Sequence, residues 1–94
     1  MEITKVKQES KFDPTGRYLL TDITYDIDGR KLYVKIQKEF QSPRRTYAAT
    51  YGMATIINPD DFTEEEIIEA ITPFWGEAKK VRNNYYQLTY YPTD

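Results

Sequence analysis

The chain has 94 residues, a formal net charge of −2, and neither cysteine nor histidine. That length holds one domain and leaves no room for a second, so residues 1–94 are read as a single domain. The missing cysteines exclude a disulfide framework, a thiolate zinc site and a cysteine nucleophile; the missing histidines remove the usual acid–base group near neutral pH. Hydrophobic residues make up only 39%, yet nine Tyr, four Phe and one Trp supply large buriable area, which separates the chain from a disordered one.

Charge is unevenly distributed. Residues 1–57 carry ten Lys/Arg and seven Asp/Glu, a net +3, whereas residues 58–94 carry three and eight, a net −5. The opening residues, MEITKVKQESK, contain no apolar run. No later stretch approaches the roughly 18 apolar residues of a membrane span. A cytoplasmic location and no membrane partner are therefore expected.

The first predicted element is a short edge strand over Glu2–Glu9, followed by a turn at Asp13-Pro14-Thr15-Gly16. The next two form a hairpin around Asp28-Gly29. A two-residue type I′ turn needs φ > 0 at both positions, which Gly and Asp tolerate. Opposite residues then fall in a fixed register. Tyr25–Leu32, Ile23–Val34 and Thr21–Ile36 share one face; Asp26–Lys31, Thr24–Tyr33 and Asp22–Lys35 share the other. A slip of one residue would scramble both sets.

A strand is predicted over Arg45–Ile57, where Ala48, Ala49, Gly52 and Ala54 leave space for a helix to pack. That helix begins at Thr63, whose side chain forms a capping box with Glu66, and Glu64 and Glu65 favour the positive end of its dipole. Ile67, Ile68, Ile71, Phe74 and Trp75 form its apolar stripe, and Pro73 predicts an end near Thr72. Strands over Glu77–Arg82 and Tyr85–Tyr91 follow, turning at Asn83-Asn84, with one bent strand as the alternative. The β-β-β-β-α-β-β order predicts a small α+β fold, a mostly antiparallel sheet with one helix on one face.

The parts for common chemistries are missing. There is no phosphate-binding glycine loop and no dinucleotide fingerprint, and neither Ser10 nor Ser42 sits in a nucleophile elbow. No enzyme activity, cofactor or metal is expected. Asp60, Asp61, Glu64, Glu65, Glu66 and Glu69 do not match a calcium loop and are explained mainly by the cap and the dipole. A histidine-free nuclease would draw on Arg44, Arg45 and Tyr47, but nothing in their spacing singles them out.

Two surface features stand out. The stretch from Arg30 to Arg45 is basic; with Lys31 and Lys35 committed across the hairpin, its remaining distal end is Lys38, Arg44 and Arg45, near Ser42-Pro43. The tyrosines are too many to be all core, and doublets such as Tyr85-Tyr86 send one ring to each face of a strand. The expected partner-binding residues are Tyr33, Lys38, Arg44, Arg45, Tyr47, Tyr85 and Tyr90. Asp60, Asp61, Glu64, Glu65 and Glu69 form an acidic surface. The functional expectation is a non-catalytic protein-binding module of the kind phages and mobile elements use as inhibitors. The alternative is a single-stranded nucleic-acid binder that uses Tyr, Arg and Lys on a sheet face. The sequence names no family.

Overall fold

A computed structural model describes residues 1–16, 18–39, 50–75 and 77–90. Six strands, β1 (Ile3–Phe12), β2 (Tyr18–Ile27), β3 (Arg30–Glu39), β4 (Thr50–Ile56), β5 (Glu77–Arg82) and β6 (Tyr85–Tyr90), form one sheet in the order β1-β2-β3-β4-β6-β5. Every neighbouring pair is antiparallel. A 3-10 turn at Pro59–Asp61 and the helix α1 (Glu64–Trp75) lie between β4 and β5. The first four strands are a meander. β4 and β5 run parallel with β6 between them, so α1 is the crossover that their common direction requires.

The hairpin register is as the sequence predicts, with Tyr25 opposite Leu32, Ile23 opposite Val34 and Asp22 opposite Lys35. Asp28 and Gly29 both have positive φ, 52° and 88°. Asp28 also ties down the first strand: its carboxylate accepts from Glu2 N at 2.9 Å, and its own N–H donates to Glu2 O at 3.1 Å. One side chain thus shapes the turn and anchors β1, 26 residues away.

The register gathers one apolar face. Ile23, Tyr25, Ile27, Leu32, Val34, Ile36, Ala54, Ile56, Tyr86 and Leu88 are buried with Phe62, Ile67, Ala70 and Ile71 in one core. α1 lies against β5 and β6. β4 meets its neighbours closely through small residues. A Cβ on Gly52 would stand 3.3 Å from Gln37 O of β3 and 3.6 Å from Leu88 Cβ of β6, so only glycine fits without a local shift.

Several boundaries differ from expectation. β1 extends to Phe12. Its partner β2 offers hydrogen bonds along its whole length, which outweighs the polar composition of residues 7–11. The helix runs through Pro73 to Trp75 instead of ending near Thr72. A proline so close to the C-terminus removes a single N–H from the ladder, and the last turn tolerates that loss. β4 starts at Thr50, and the predicted Arg45–Ala49 portion lies outside the described residues. The Glu77–Tyr90 segment is a hairpin, and its alternative, one bent strand, does not hold.

Both edge strands have the same protection. The register shifts between Lys5 and Lys7 in β1 and between Lys80 and Arg82 in β5, so Val6 and Val81 are the extra, exposed residues. A bulge flanked by cations twists an edge and discourages pairing with another chain.

Candidate functional site

The helix start is held to the β2–β3 hairpin by side-chain contacts. Thr63 Oγ1 accepts from Glu66 N at 3.2 Å while Glu66 Oε1 accepts from Thr63 N at 2.9 Å, which completes the capping box. Arg30 leaves the hairpin turn, donates to Asp61 O at 2.7 Å and to Glu66 Oε2 at 2.5 Å, and lies over the Phe62 ring at 4.7 Å. The Thr63 N–H, with Arg30 beside it, holds the Glu66 carboxyl below its ordinary pKa even though partial desolvation acts against this. Asn58 continues the β3–β4 ladder with its side-chain amide, accepting from Tyr33 N at 3.0 Å and donating to Lys31 O at 2.8 Å. Replacing Arg30 with Ala is expected to cost about 1–2 kcal/mol, because it removes two half-exposed hydrogen bonds, one of them to a carboxylate, together with a packed stem. Urea unfolding checks this against Arg82→Ala, an exposed residue whose guanidinium stands over the half-buried ring of Tyr85.

Glu66 and Asp26 both titrate low. The Lys31 hydrogen bond is the main cause for Asp26. Groups of lowered pKa stabilise the fold above their unfolded values, and that contribution fades as pH falls through the folded ones. The helix junction and the hairpin tip therefore weaken in acid.

The opposite face of the sheet has no covering element among the described residues. Alternation places Leu20, Asp22, Thr24 and Asp26 of β2 there, beside Lys31, Tyr33, Lys35 and Gln37 of β3. Met53 and Thr55 of β4 and Tyr85 and Gln87 of β6 continue it. Ile57 donates its N–H to Tyr33 O at 2.9 Å and so stands in the Tyr33 row. Tyr33, Met53 and Ile57 are 46%, 47% and 53% exposed. The Tyr85 hydroxyl meets the Met53 sulfur, and the Arg82 guanidinium stacks on the Tyr85 ring at 5.3 Å. Two shallow depressions mark the face. Leu20, Gln37, Met53 and Tyr85 line one, Thr24, Tyr33 and Ile57 the other, and Asp22 and Lys35 line both.

The two faces differ in charge. The helix side gathers Asp60, Asp61, Glu64, Glu65 and Glu69. On the open face the register places Lys7, Lys11, Lys31, Lys35, Lys79 and Arg82 against Glu9, Asp22, Asp26 and Glu77. Lys31 holds Asp26 at 2.6 Å, whereas Lys35 and Asp22 are 4.0 Å apart and each about two-thirds exposed. The second pair is loose, and pairs of that kind exchange partners at little cost.

The structure separates the residues singled out from sequence. Tyr33 and Tyr85 share the open face, one on β3 and one on β6. Lys38 does not join them: it lies opposite Leu19 in the row of Leu32, Val34 and Ile36, and partial burial lowers its pKa. Tyr90 ends β6 opposite Thr50. Arg44, Arg45 and Tyr47 lie outside the described residues. Tyr86, the other half of the Tyr85 doublet, is core, and burial, with Glu64 nearby, pushes its hydroxyl pKa up. Among the acids, Asp60 accepts from Asn83 at 3.2 Å and Asp61 from Asn58 at 3.3 Å. No group of three or more carboxylates among the described residues converges on a metal-sized point.

Sequence reasoning missed Met53 and Ile57. Their signal is the alternation in β4, where Gly52, Ala54 and Ile56 take the core positions and leave Met53 and Ile57 on the other side. No helix in the described residues is long and apolar enough to cross a membrane. Compared with protein-family profiles, with curated proteins and with solved structures, the chain has no significant match.

Proposed function

We propose that this protein is a small non-catalytic binding module that occupies the surface of a protein partner with its open sheet face, in the manner of an inhibitor from a phage or mobile element, in a cytoplasmic setting. The observation that carries this reading is the grouping of Tyr33, Ile57, Met53 and Tyr85 on a face that no described element covers. Exposed apolar side chains scattered singly are ordinary; here they stand as two pairs on one face, Tyr33 with Ile57 and Met53 with the half-buried Tyr85, and grouped apolar side chains on an uncovered face favour an interaction surface. Tyrosine suits such a surface, since its ring gives area at a low entropic cost and its hydroxyl remains satisfied at the rim.

Single-stranded nucleic acid is the competing partner, because Tyr33 and Lys35 are neighbouring rows of one strand. The charge pattern favours protein. Nucleic-acid binders track the backbone with a continuous basic stripe. Here carboxylates interrupt the lysines, at Lys7–Glu9, Lys31–Asp26 and Lys35–Asp22.

Affinity capture from the source organism's lysate, with nuclease present, tests the reading. The wild-type chain is expected to retain one stoichiometric protein, and Met53→Glu/Ile57→Glu to lose it while melting like wild type. Retention of nothing, or of a partner indifferent to the double substitution, contradicts it.

A further inference from the structure

The β2–β3 turn contains the residue pair at which a polypeptide most readily rearranges. Where glycine follows aspartate, no side chain shields the glycine amide nitrogen, and that nitrogen can attack the aspartate side-chain carboxyl. A new N–C bond closes a five-membered succinimide ring. The Cγ–O bond breaks, and the oxygen leaves as water. Water then reopens the ring at either carbonyl. One opening restores aspartate; the other routes the main chain through the side-chain carboxyl carbon and leaves isoaspartate, with no change in mass. The reaction takes no oxidant and no cofactor.

At Asp28-Gly29 both reacting groups are already engaged. The nucleophile, Gly29 N, donates to Asp26 Oδ1 at 2.8 Å, and Lys31 Nζ holds the other oxygen of that carboxylate at 2.6 Å. The electrophile, the Asp28 carboxyl, accepts from Glu2 N at 2.9 Å and is drawn towards β1. The Asp28 N–H donates to Glu2 O at 3.1 Å, so Glu2 grips both the backbone and the side chain of Asp28. The ladder closes around the turn, with Ile27 opposite Arg30, and the positive φ of both turn residues is fixed by that closure. Attack therefore has to break two charge-assisted hydrogen bonds and turn the carboxyl away from β1.

We infer that Asp28 is an isoaspartate-forming site that the fold holds closed, with Asp26 guarding the nucleophile and the main chain of Glu2 guarding the carboxyl. The start of β1 is the catch of this device. Isoaspartate at position 28 lengthens a two-residue turn by one backbone carbon and undoes both contacts to Glu2. The first residues of β1, with the partly buried Ile3, then lose their anchor on the hairpin. The reaction is independent of what the open face binds.

Ageing the full chain at physiological temperature in mildly acidic buffer tests this, with isoaspartate at position 28 quantified by chromatographic peptide mapping. A free peptide of residues 22–35 is the unguarded reference. The chain is expected to convert at least about tenfold more slowly than the peptide, the factor that breaking one charge-assisted hydrogen bond before reaction implies. Glu2→Pro removes the amide that donates to Asp28, whereas Glu2→Ala keeps it. Glu2→Pro is expected to convert roughly threefold faster than Glu2→Ala, the smaller factor suited to an exposed hydrogen bond, with both variants melting like wild type. Asp26→Ala, which frees Gly29 N, is expected to accelerate conversion by a similar factor. Equal rates in chain and peptide, or Glu2→Pro no faster than Glu2→Ala with Asp26→Ala at the wild-type rate, overturns the inference.

Discussion

Ile71→Ala is expected to lower stability by roughly 2–5 kcal/mol, the usual range for a large aliphatic truncated in a packed core. Ile71 is fully buried on α1, and with Ile67 and Ala70 it supplies the helix side of a core whose sheet side comes from β2, β3, β4 and β6. The lost methyls leave a cavity that a two-layer domain closes poorly, because the sheet is fixed by its own hydrogen bonds. The capping box lies two turns away and is untouched, so the cost reports packing alone. Urea unfolding measures it as a lower midpoint at an unchanged slope. Val81→Ala, at an exposed bulge position, is the control and is expected to change stability by less than about 0.5 kcal/mol.

Tyr25→Phe is expected to act in the opposite direction, most strongly in alkali. Tyr25 is 4% exposed, its hydroxyl has no hydrogen-bond partner among the described residues, and burial pushes its pKa from 10.0 to about 12. Near neutral pH, phenylalanine removes a buried polar group that has no partner, so stability is expected to be unchanged or slightly higher. Between pH 10 and about 12 the unfolded chain releases the Tyr25 proton while the folded chain keeps it. The unfolded state then binds fewer protons, and stability falls as pH rises. Two pH units at 1.36 kcal/mol each give a loss of roughly 2–3 kcal/mol in wild type that the variant escapes. Melting both proteins across this range isolates the effect, because Tyr86, also raised by burial, is common to both.

The legible part of this fold is the part in which neighbouring residues decide. Asp28-Gly29 permits one tight turn, and the alternation on either side permits one register, so the whole β2–β3 pairing followed from about twenty residues. Thr63 and Glu66 marked the helix start for the same local reason. The same register already contained the position of Lys38: it has the parity of Leu32, Val34 and Ile36, which places it on the helix side, away from Tyr33. What sequence could not show depends on distant approach. Arg30 counts as part of a basic stretch until the 3-10 turn and α1 bring Asp61 and Glu66 to it, and Asn58 reads as a plain turn residue until its amide meets β3. The open face was half visible. Its tyrosines were expected, but Met53 and Ile57 matter only because the register sets them beside Tyr85 and Tyr33.

The central claim is that the open sheet face is the contact surface, and covalent footprinting of the captured complex tests it most directly. Lysines and carboxylates are labelled in the isolated protein and in the complex, and the modified sites are quantified. Lys35 is expected to lose most of its labelling on binding, while Glu65 and Glu69 on the outward side of α1 stay as reactive as before. Protection of Glu65 and Glu69 with Lys35 unchanged would contradict the claim and move the interface to the helix.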